Sequence, residues 1–466
     1  MKRTKKIMVL AAVLVVAILA TFALTRYEEK QEQIKTSGAV ILEITGDSVQ
    51  SLSWDYAAGG GLAFSKTEEG WQYDDDAAFP VSQEKVAKIL SKFESYGAAF
   101  VIENVTDYGQ YGLDDPECTL HIVSADQSID LKIGDLSKMD EQRYIDIGDG
   151  NVYLVSEDPL EYVDSSLSSM IAHDDTPGFE TVADITFQGA ENYTIVRTDD
   201  STDTYNSSND IYFVERNGKT VPLDTASVRT YLNTVTSLDL LDYVTYNATA
   251  EELASYGLDD PMLSVTVNYS YTDDSGETVS DTCVFHISEN PEERAAADEA
   301  EAAGTNAENV TRYVRIGDSQ IVYTLDDVDF AILADASFND LRHKEVFWAD
   351  FGIVTQIDAE LEGQTHSITR TDETWYYGET ELEIDTIQTA LEALTADSFT
   401  DESPALAEEI GLTLHLDNEN FPTVEIRLYR YDGSFCLAAQ DGDPVSLVER
   451  SAVMDLVEAV QAIVLN

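Results

Sequence analysis

Cysteine is scarce in this chain, with three in 466 residues: Cys118, Cys283 and Cys436. An odd, scattered set without a Cys-x-x-Cys pair excludes a disulfide framework and a zinc knuckle, and reads as three small buried hydrophobes. Basic residues are also few. Lys and Arg total 27 against 89 Asp and Glu, for a formal net charge of -62. A field of that sign repels phosphate backbones, so nucleic acid is excluded as a partner, and the folded part is not built for anionic membrane surfaces. Motifs of chemistry are missing as well. None of the histidines (His121, His173, His286, His343, His366, His415) falls in a His-Glu-x-x-His or other ligand spacing, and they read as structural. There is no Gly-x-Ser-x-Gly elbow, P-loop or dinucleotide fingerprint. Asp pairs recur at Asp114-Asp115, Asp199-Asp200, Asp259-Asp260 and Asp273-Asp274, too often for any one to signal acid–base work. The segment nearest to a calcium loop, Asp146 to Asn151, reads better as a hairpin turn. No catalytic, cofactor-binding or metal-binding residue is assigned.

The N-terminus supplies the first positive signal. Lys2, Arg3, Lys5 and Lys6 precede an apolar run from Ile7 to Leu24, broken only by Thr21. The run is long enough to cross a bilayer, and its basic flank belongs on the cytoplasmic side. It is longer than the apolar core of a cleaved signal, although Thr21-Phe22-Ala23 would serve as a cleavage site. The expectation is a retained signal anchor in the cell membrane, with the bulk of the chain extracytoplasmic.

The second signal is repetition. Tyr-Gly-Leu-Asp-Asp-Pro occurs at Tyr111–Pro116 and again at Tyr256–Pro261, with a decayed form at Ile410-Gly411-Leu412-Thr413. Matched elements surround each copy. Short alternating runs open at Val49, Val182 and Val354, and aromatic runs follow at Trp71, Tyr212 and Trp375; these are antiparallel strands with turns. Trp54, Trp71, Trp348 and Trp375 could form a carbohydrate platform, but aromatics repeated on strands read as core. Helices follow with apolar stripes Val86, Ile89, Leu90 and Phe93, then Val228, Tyr231, Leu232 and Val235, then Ile387, Leu391 and Leu394. The hexapeptide reads as a helix stop. Thr249 and Glu252 form a capping box, Gly257 takes the left-handed position, and Asp-Asp-Pro turns the chain. In the third copy Ser403-Pro404 and Gly411-Leu412 are expected to start and stop the same helix. Four strands and a terminal helix then close each copy.

These residues resemble the bacterial family of domain of unknown function 4340. Its Tyr-Gly-Leu-Asp-x-Pro segment is followed by strands ending in Ile-Gly and Val-Tyr-x-Val, matched here by Ile133-Gly134 with Val152–Val155 and by Ile316-Gly317 with Val322-Tyr323. The resemblance implies an N-terminally anchored, extracytoplasmic protein without an assigned reaction, and an accessory place beside ABC-type transport components.

The expected fold is α+β: three tandem related units, each a mainly antiparallel sheet with one or two packed amphipathic helices, after an N-terminal transmembrane helix. The boundaries are 1–26 for cytoplasmic tip and anchor, 27–37 for a stalk, 38–175 for unit one, 176–344 for unit two with an Ala/Glu-rich insert at 289–311, and 345–466 for unit three. The expected function is a non-catalytic binding or assembly protein of the bacterial envelope. Its expected partners are the membrane, through the anchor, and envelope or ABC-transporter proteins. The alternative is an envelope hydrolase acting on wall polymer through paired carboxylates.

Overall fold

The computed structural model describes residues 33–36, 38–138, 141–163 and 166–464. The expected membrane helix at Ile7–Leu24 lies outside the described residues, among which no helix is long and apolar enough to cross a membrane. The protein is α+β, mostly antiparallel sheet, and divides into two compact units, Met1–His173 and Asp174–Asn466.

The first unit is built on a nine-stranded sheet. Val49–Tyr56 pairs with Cys118–Ser124 at its middle. Along Val49–Tyr56 the side chains alternate, burying Leu52 and Trp54 completely, because successive residues of a strand face opposite sides. Gly61–Thr67 and Gly70–Tyr73 extend the sheet on one side. On the other side come Ser128–Leu136, Arg143–Asp146, Val152–Val155, Phe100–Glu103 and, at the edge, Gln33–Thr36. Helix α1, Gln83–Phe93, starts where the Ser82 side chain accepts from the Lys85 N–H. It buries Val86, Ile89, Leu90 and Phe93, each contributing roughly 1.5–3 kcal/mol of apolar burial. The terminal helix expected for this copy is absent from the described residues; 3-10 turns at Pro159–Glu161 and Leu167–Met170 stand in its place. The serines explain this. Ser166 and Ser168 hydroxyls meet at 2.6 Å and Ser169 donates to the Ser166 carbonyl, and such local bonds compete with the helical ladder.

The second unit holds two further nine-stranded sheets. In one, Thr181–Gln188 pairs with Leu263–Thr272. Asn192–Arg197, Tyr212–Arg216 and Lys219–Pro222 follow on one side. Thr278–Glu289, Arg312–Ile316, Val322–Leu325 and Tyr243–Thr245 follow on the other. In the next, Val354–Leu361 pairs with Glu408–Leu416. It is flanked by Gln364–Thr371, Thr374–Tyr377 and Thr380–Leu382, and by Thr423–Arg430, Phe435–Gln440, Asp443–Glu449 and Ala396–Phe399. The strand preceding the hexapeptide region (Phe100–Glu103, Tyr243–Thr245 or Ala396–Phe399) thus joins the far side of each sheet. Each middle pairing also slips register at its start, between Val49 and Ser51, Val182 and Asp184, and Val354 and Gln356. Irregularities of this kind re-aim a strand and persist as built features.

The helices of this unit are α2 (Thr225–Thr236), α3 (Ala250–Ser255), α4 (Pro291–Ala302), α5 (Asp327–Ala334), α6 (Phe338–Leu341), α7 (Asp385–Glu392) and α8 (Arg450–Val464). α2 buries Val228, Tyr231, Leu232 and Val235 behind an Asp224 cap. α8 buries Val453, Leu456, Val457 and Val460. The Ala/Glu-rich insert is α4, capped by Asn290 and burying only Ala297. α7 begins at Asp385 without a side-chain cap.

The hexapeptide does what its spacing predicts in two places and not in the third. The Thr249–Glu252 capping box starts α3. At its end the Gly257 N–H donates to the Ala254 carbonyl and the Leu258 N–H to the Leu253 carbonyl, with Gly257 at φ 71°. The same two bonds recur from Gly112 to Gly109 and from Leu113 to Tyr108, again with the glycine at φ 71°. This is the paired bonding that satisfies the last carbonyls of a helical turn. The third site differs: Gly411 lies inside strand Glu408–Leu416, and no helix forms over Ser403–Ile410. Gly411 is paired on both sides there, with Glu360 and Arg427, the copy lacks the Asp-Asp-Pro turn, and the Arg427 guanidinium fills the space a Gly411 side chain would occupy. From there Arg427 holds Glu360 and Glu425 at 2.6 Å and Glu408 at 3.1 Å.

Candidate functional site

The hexapeptide's conspicuous carboxylates face solvent: Asp114, Asp115, Asp259 and Asp260 are all exposed. Its apolar residues turn inward. Tyr111 and Leu113 pack with Ile102, Val152 and Leu154, and Leu258 packs with Ala248, Tyr313 and Val322. Tyr111 meets Tyr144 at 4.9 Å between ring centroids, and Tyr256 meets Tyr313 at 4.8 Å. The segment therefore docks a helical turn onto the outer strands of its own sheet.

The cysteines are unpaired, Cys118 and Cys436 buried and Cys283 partly so. Burial lifts all three thiols, Cys283 and Cys436 to about 11 and Cys118 to about 12, so they stay protonated and unreactive at neutral pH. His121 sits 2.7 Å from Asp130, His415 2.7 Å from Asp358, His286 2.9 Å from Ser264 and His366 3.0 Å from Tyr377. Asp146 accepts from the Gly148 N–H and Asp149 from the Asn151 N–H, which makes that segment a hairpin turn. Among the described residues, no group of three or more His, Cys, Asp or Glu could hold a metal ion. Trp54 and Trp375 are core, while Trp348 belongs to the site below.

That site was not singled out by any motif. It forms within the second unit, where the loop between Arg197 and Tyr212 reaches into the third sheet's core. Tyr205 is buried among that core's residues, 5.5 Å from Phe347, 4.6 Å from Trp348 and 6.0 Å from Phe421 between ring centroids. Behind it lies Asp210, 1% exposed. Its carboxylate accepts from the Thr204 hydroxyl at 2.5 Å, the Trp348 indole at 3.0 Å and His343 Nε2 at 3.0 Å. The imidazole stacks on Trp348 with ring centroids 4.4 Å apart, and its Nδ1 lies 3.8 Å from Glu345. Burial opposes the His343 charge, but the bonds to Asp210 and Glu345 outweigh it and raise the imidazole to about 9. His343 is therefore a cation at neutral pH, with no lone pair to act as a base. A buried charge satisfied on every side fixes the geometry of what surrounds it.

This network forms one wall of a cleft of about 590 Å³. Another wall carries Arg216, Phe338 and Arg342. The Arg216 guanidinium lies over the Phe338 ring at 4.2 Å, and Arg342 lies over the same ring at 4.8 Å and over Phe399 at 4.4 Å. Burial and the neighbouring Arg216 charge lower Arg342 to about 10. Glu191 approaches Arg216 at 3.5 Å, whereas Arg342 has no side-chain hydrogen bond or ion pair among the described residues. Lys219 at the rim pairs with Asp443 at 2.6 Å across exposed surface. The one raised carboxylate among the described residues, Asp329, is pushed up by burial and by Asp326 and Asp239, and lies outside this cleft.

The family model described as Domain of unknown function (DUF4340) matches residues 71–261 and 216–413. The two matched stretches start at Trp71, in the edge strand of the first sheet, and at Arg216, in the strand next to the edge of the second, and end at Pro261 and Thr413, where the hexapeptide and its decayed form end. No curated protein matches the chain.

Proposed function

The chain belongs to this family of unknown function, and from that premise we propose that it is a membrane-anchored, extracytoplasmic, non-catalytic binding or assembly protein of the bacterial envelope, accessory to an ABC-type transport system. The observation that carries the reading is the threefold use of one strand order, with the same early register slip in each sheet. On this reading the three sheets are tandem copies of one unit, and the anchor at Ile7–Leu24 tethers them outside the membrane. Repetition of a scaffold supplies surface and spacing. Individual chemistry then belongs where the copies differ, because scaffold residues repeat and recognition residues sit on variable loops. The Asp210 network and its cleft are such a place, since they depend on a loop between Arg197 and Tyr212 that has no counterpart of that length in the other two sheets.

The test is topology together with partnership. A reporter fused after Asn466 should behave as extracytoplasmic, and the full-length protein captured from solubilised membranes should bring transporter components with it. Activity of a strictly cytoplasmic reporter at that position would sink the anchored topology. Hydrolysis of wall polymer by the purified protein would favour the hydrolase instead.

A further inference from the structure

We infer that the cleft between the second and third sheets binds a small organic oxyanion, a carboxylate or phosphate attached to an apolar or ring-bearing body, through Arg342 and Arg216. The inference deepens the binding reading above and rests on it.

The first ground is charge. In a chain of 89 acidic and 27 basic residues, a partly buried arginine is expected to find a carboxylate. Arg143 does, with Asp158 at 2.6 Å and Glu117 at 2.7 Å, and Arg427 holds three glutamates. Arg342 finds phenyl rings and a second guanidinium instead. Two like charges flanking one ring repel each other, and partial burial removes the water that would screen them. An oxyanion on Arg342 supplies the counter-charge that its own surroundings lack and weakens its repulsion with Arg216.

The second ground is geometry. Arg342 lies against the Phe338 and Phe399 rings and makes no side-chain hydrogen bond among the described residues, so its forked N–H donors are free to take a ligand. That fork matches the two oxygens of a carboxylate or phosphate, which a lysine does not. The rings also restrict the side chain, so less freedom is lost on binding. The third ground is the remainder of the cleft. A volume of about 590 Å³ suits a small molecule rather than a lone ion. Tyr205, Trp348 and Phe421 offer it apolar and aromatic surface held in place by the Asp210 network. The cleft also carries Asp203, Glu345, Asp401, Asp441 and Asp443. Of these, Glu345 is engaged by His343 and Asp443 by Lys219. The acids elsewhere on the chain oppose an anion only weakly, since their field is screened beyond about 8 Å at physiological salt. Affinity must then come from the short-range contacts.

The experiment is calorimetric titration of the full-length protein with phenyl phosphate, benzoate and inorganic phosphate, and with neutral benzyl alcohol as control. Phenyl phosphate or benzoate should bind, with benzyl alcohol weaker by roughly tenfold or more. Arg342→Gln should weaken the anion by a similar factor, Arg342→Lys should recover only part of it, and Arg229→Gln, outside this cleft, should leave it unchanged. Retained circular dichroism and melting would show that the variants fold. Binding of inorganic phosphate as tight as phenyl phosphate would mean that the aromatic body contributes nothing, overturning the ligand class. No anion-dependent heat at millimolar ligand, or equal losses in the Arg342 and Arg229 variants, would overturn the site. Such a failure, with transporter components still captured, leaves the assembly reading intact. Release of phenol from phenyl phosphate would instead refute the non-catalytic reading while upholding the site.

Discussion

Replacing Gly257 by valine perturbs the helix stop at a point where the geometry allows a magnitude to be worked out. Gly257 sits at φ 71°, and a Cβ there would lie 2.6 Å from Ser288 Oγ, 2.9 Å from the Glu289 carbonyl oxygen and 3.3 Å from Pro291 Cγ. The left-handed conformation alone costs a side-chain-bearing residue about 1–2 kcal/mol, and more for a β-branched one. Ser288 can rotate away, but the Glu289 carbonyl ends a paired strand just before the Asn290 cap of α4, so a further 1–2 kcal/mol or so of strain remains. The expected loss is about 2–4 kcal/mol in urea unfolding monitored by far-ultraviolet circular dichroism, with the melting point lowered accordingly. Asp259→Asn, two residues on and exposed, should stay within about 0.5 kcal/mol of wild type. A Gly257→Val protein as stable as wild type would refute the claim that the hexapeptide is a packing device fixed by this turn.

Other outcomes follow from the Asp210 network and the repeat. Asp210→Ala removes the buried partner of the His343 cation, leaving only the more exposed Glu345 at 3.8 Å, and should cost about 3–5 kcal/mol, read by the same unfolding curves. Because the folded His343 is raised to about 9 from 6.5, its contribution is full below about pH 6.5 and is lost as pH rises through 9. Stability measured across that window should fall with rising pH, and Asp210→Asn should flatten the fall. Tyr205→Ala empties a site in the third sheet's core at 6% exposure and should cost about 3–5 kcal/mol, whereas a surface tyrosine such as Tyr431 should be nearly silent.

Much of the scaffold was legible in the sequence because it is local. The α2 stripe, the Thr249–Glu252 box and the Gly257 stop are each written within a dozen residues, where helical spacing and capping chemistry act directly. Gly411 was misread for the complementary reason. Its role is set by Arg427, a residue of the neighbouring strand, and nothing nearby in sequence announces that a guanidinium will cross there. The serine turns near Met170 gave a signal, in the density of hydroxyls, that propensity alone could have weighed. The cleft was illegible. Arg216 ends a strand while Phe338 and Arg342 open and close the short helix α6 far along the chain, and an arginine lacking a carboxylate partner is visible only once the fold shows what surrounds it. Asp210 likewise reads as one acid among 89 until Thr204, His343 and Trp348 converge on it.

The central claim is that the repeated segment is scaffold and that recognition resides in the cleft of the second unit. Complementation of a strain lacking the protein, with variants at matched abundance in the membrane, tests it most directly. The variant carrying Asp114→Asn, Asp115→Asn, Asp259→Asn and Asp260→Asn should restore function, and the one carrying Arg216→Gln and Arg342→Gln should not. The reverse pattern, with the arginine variant active and the aspartate variant dead, would contradict the account.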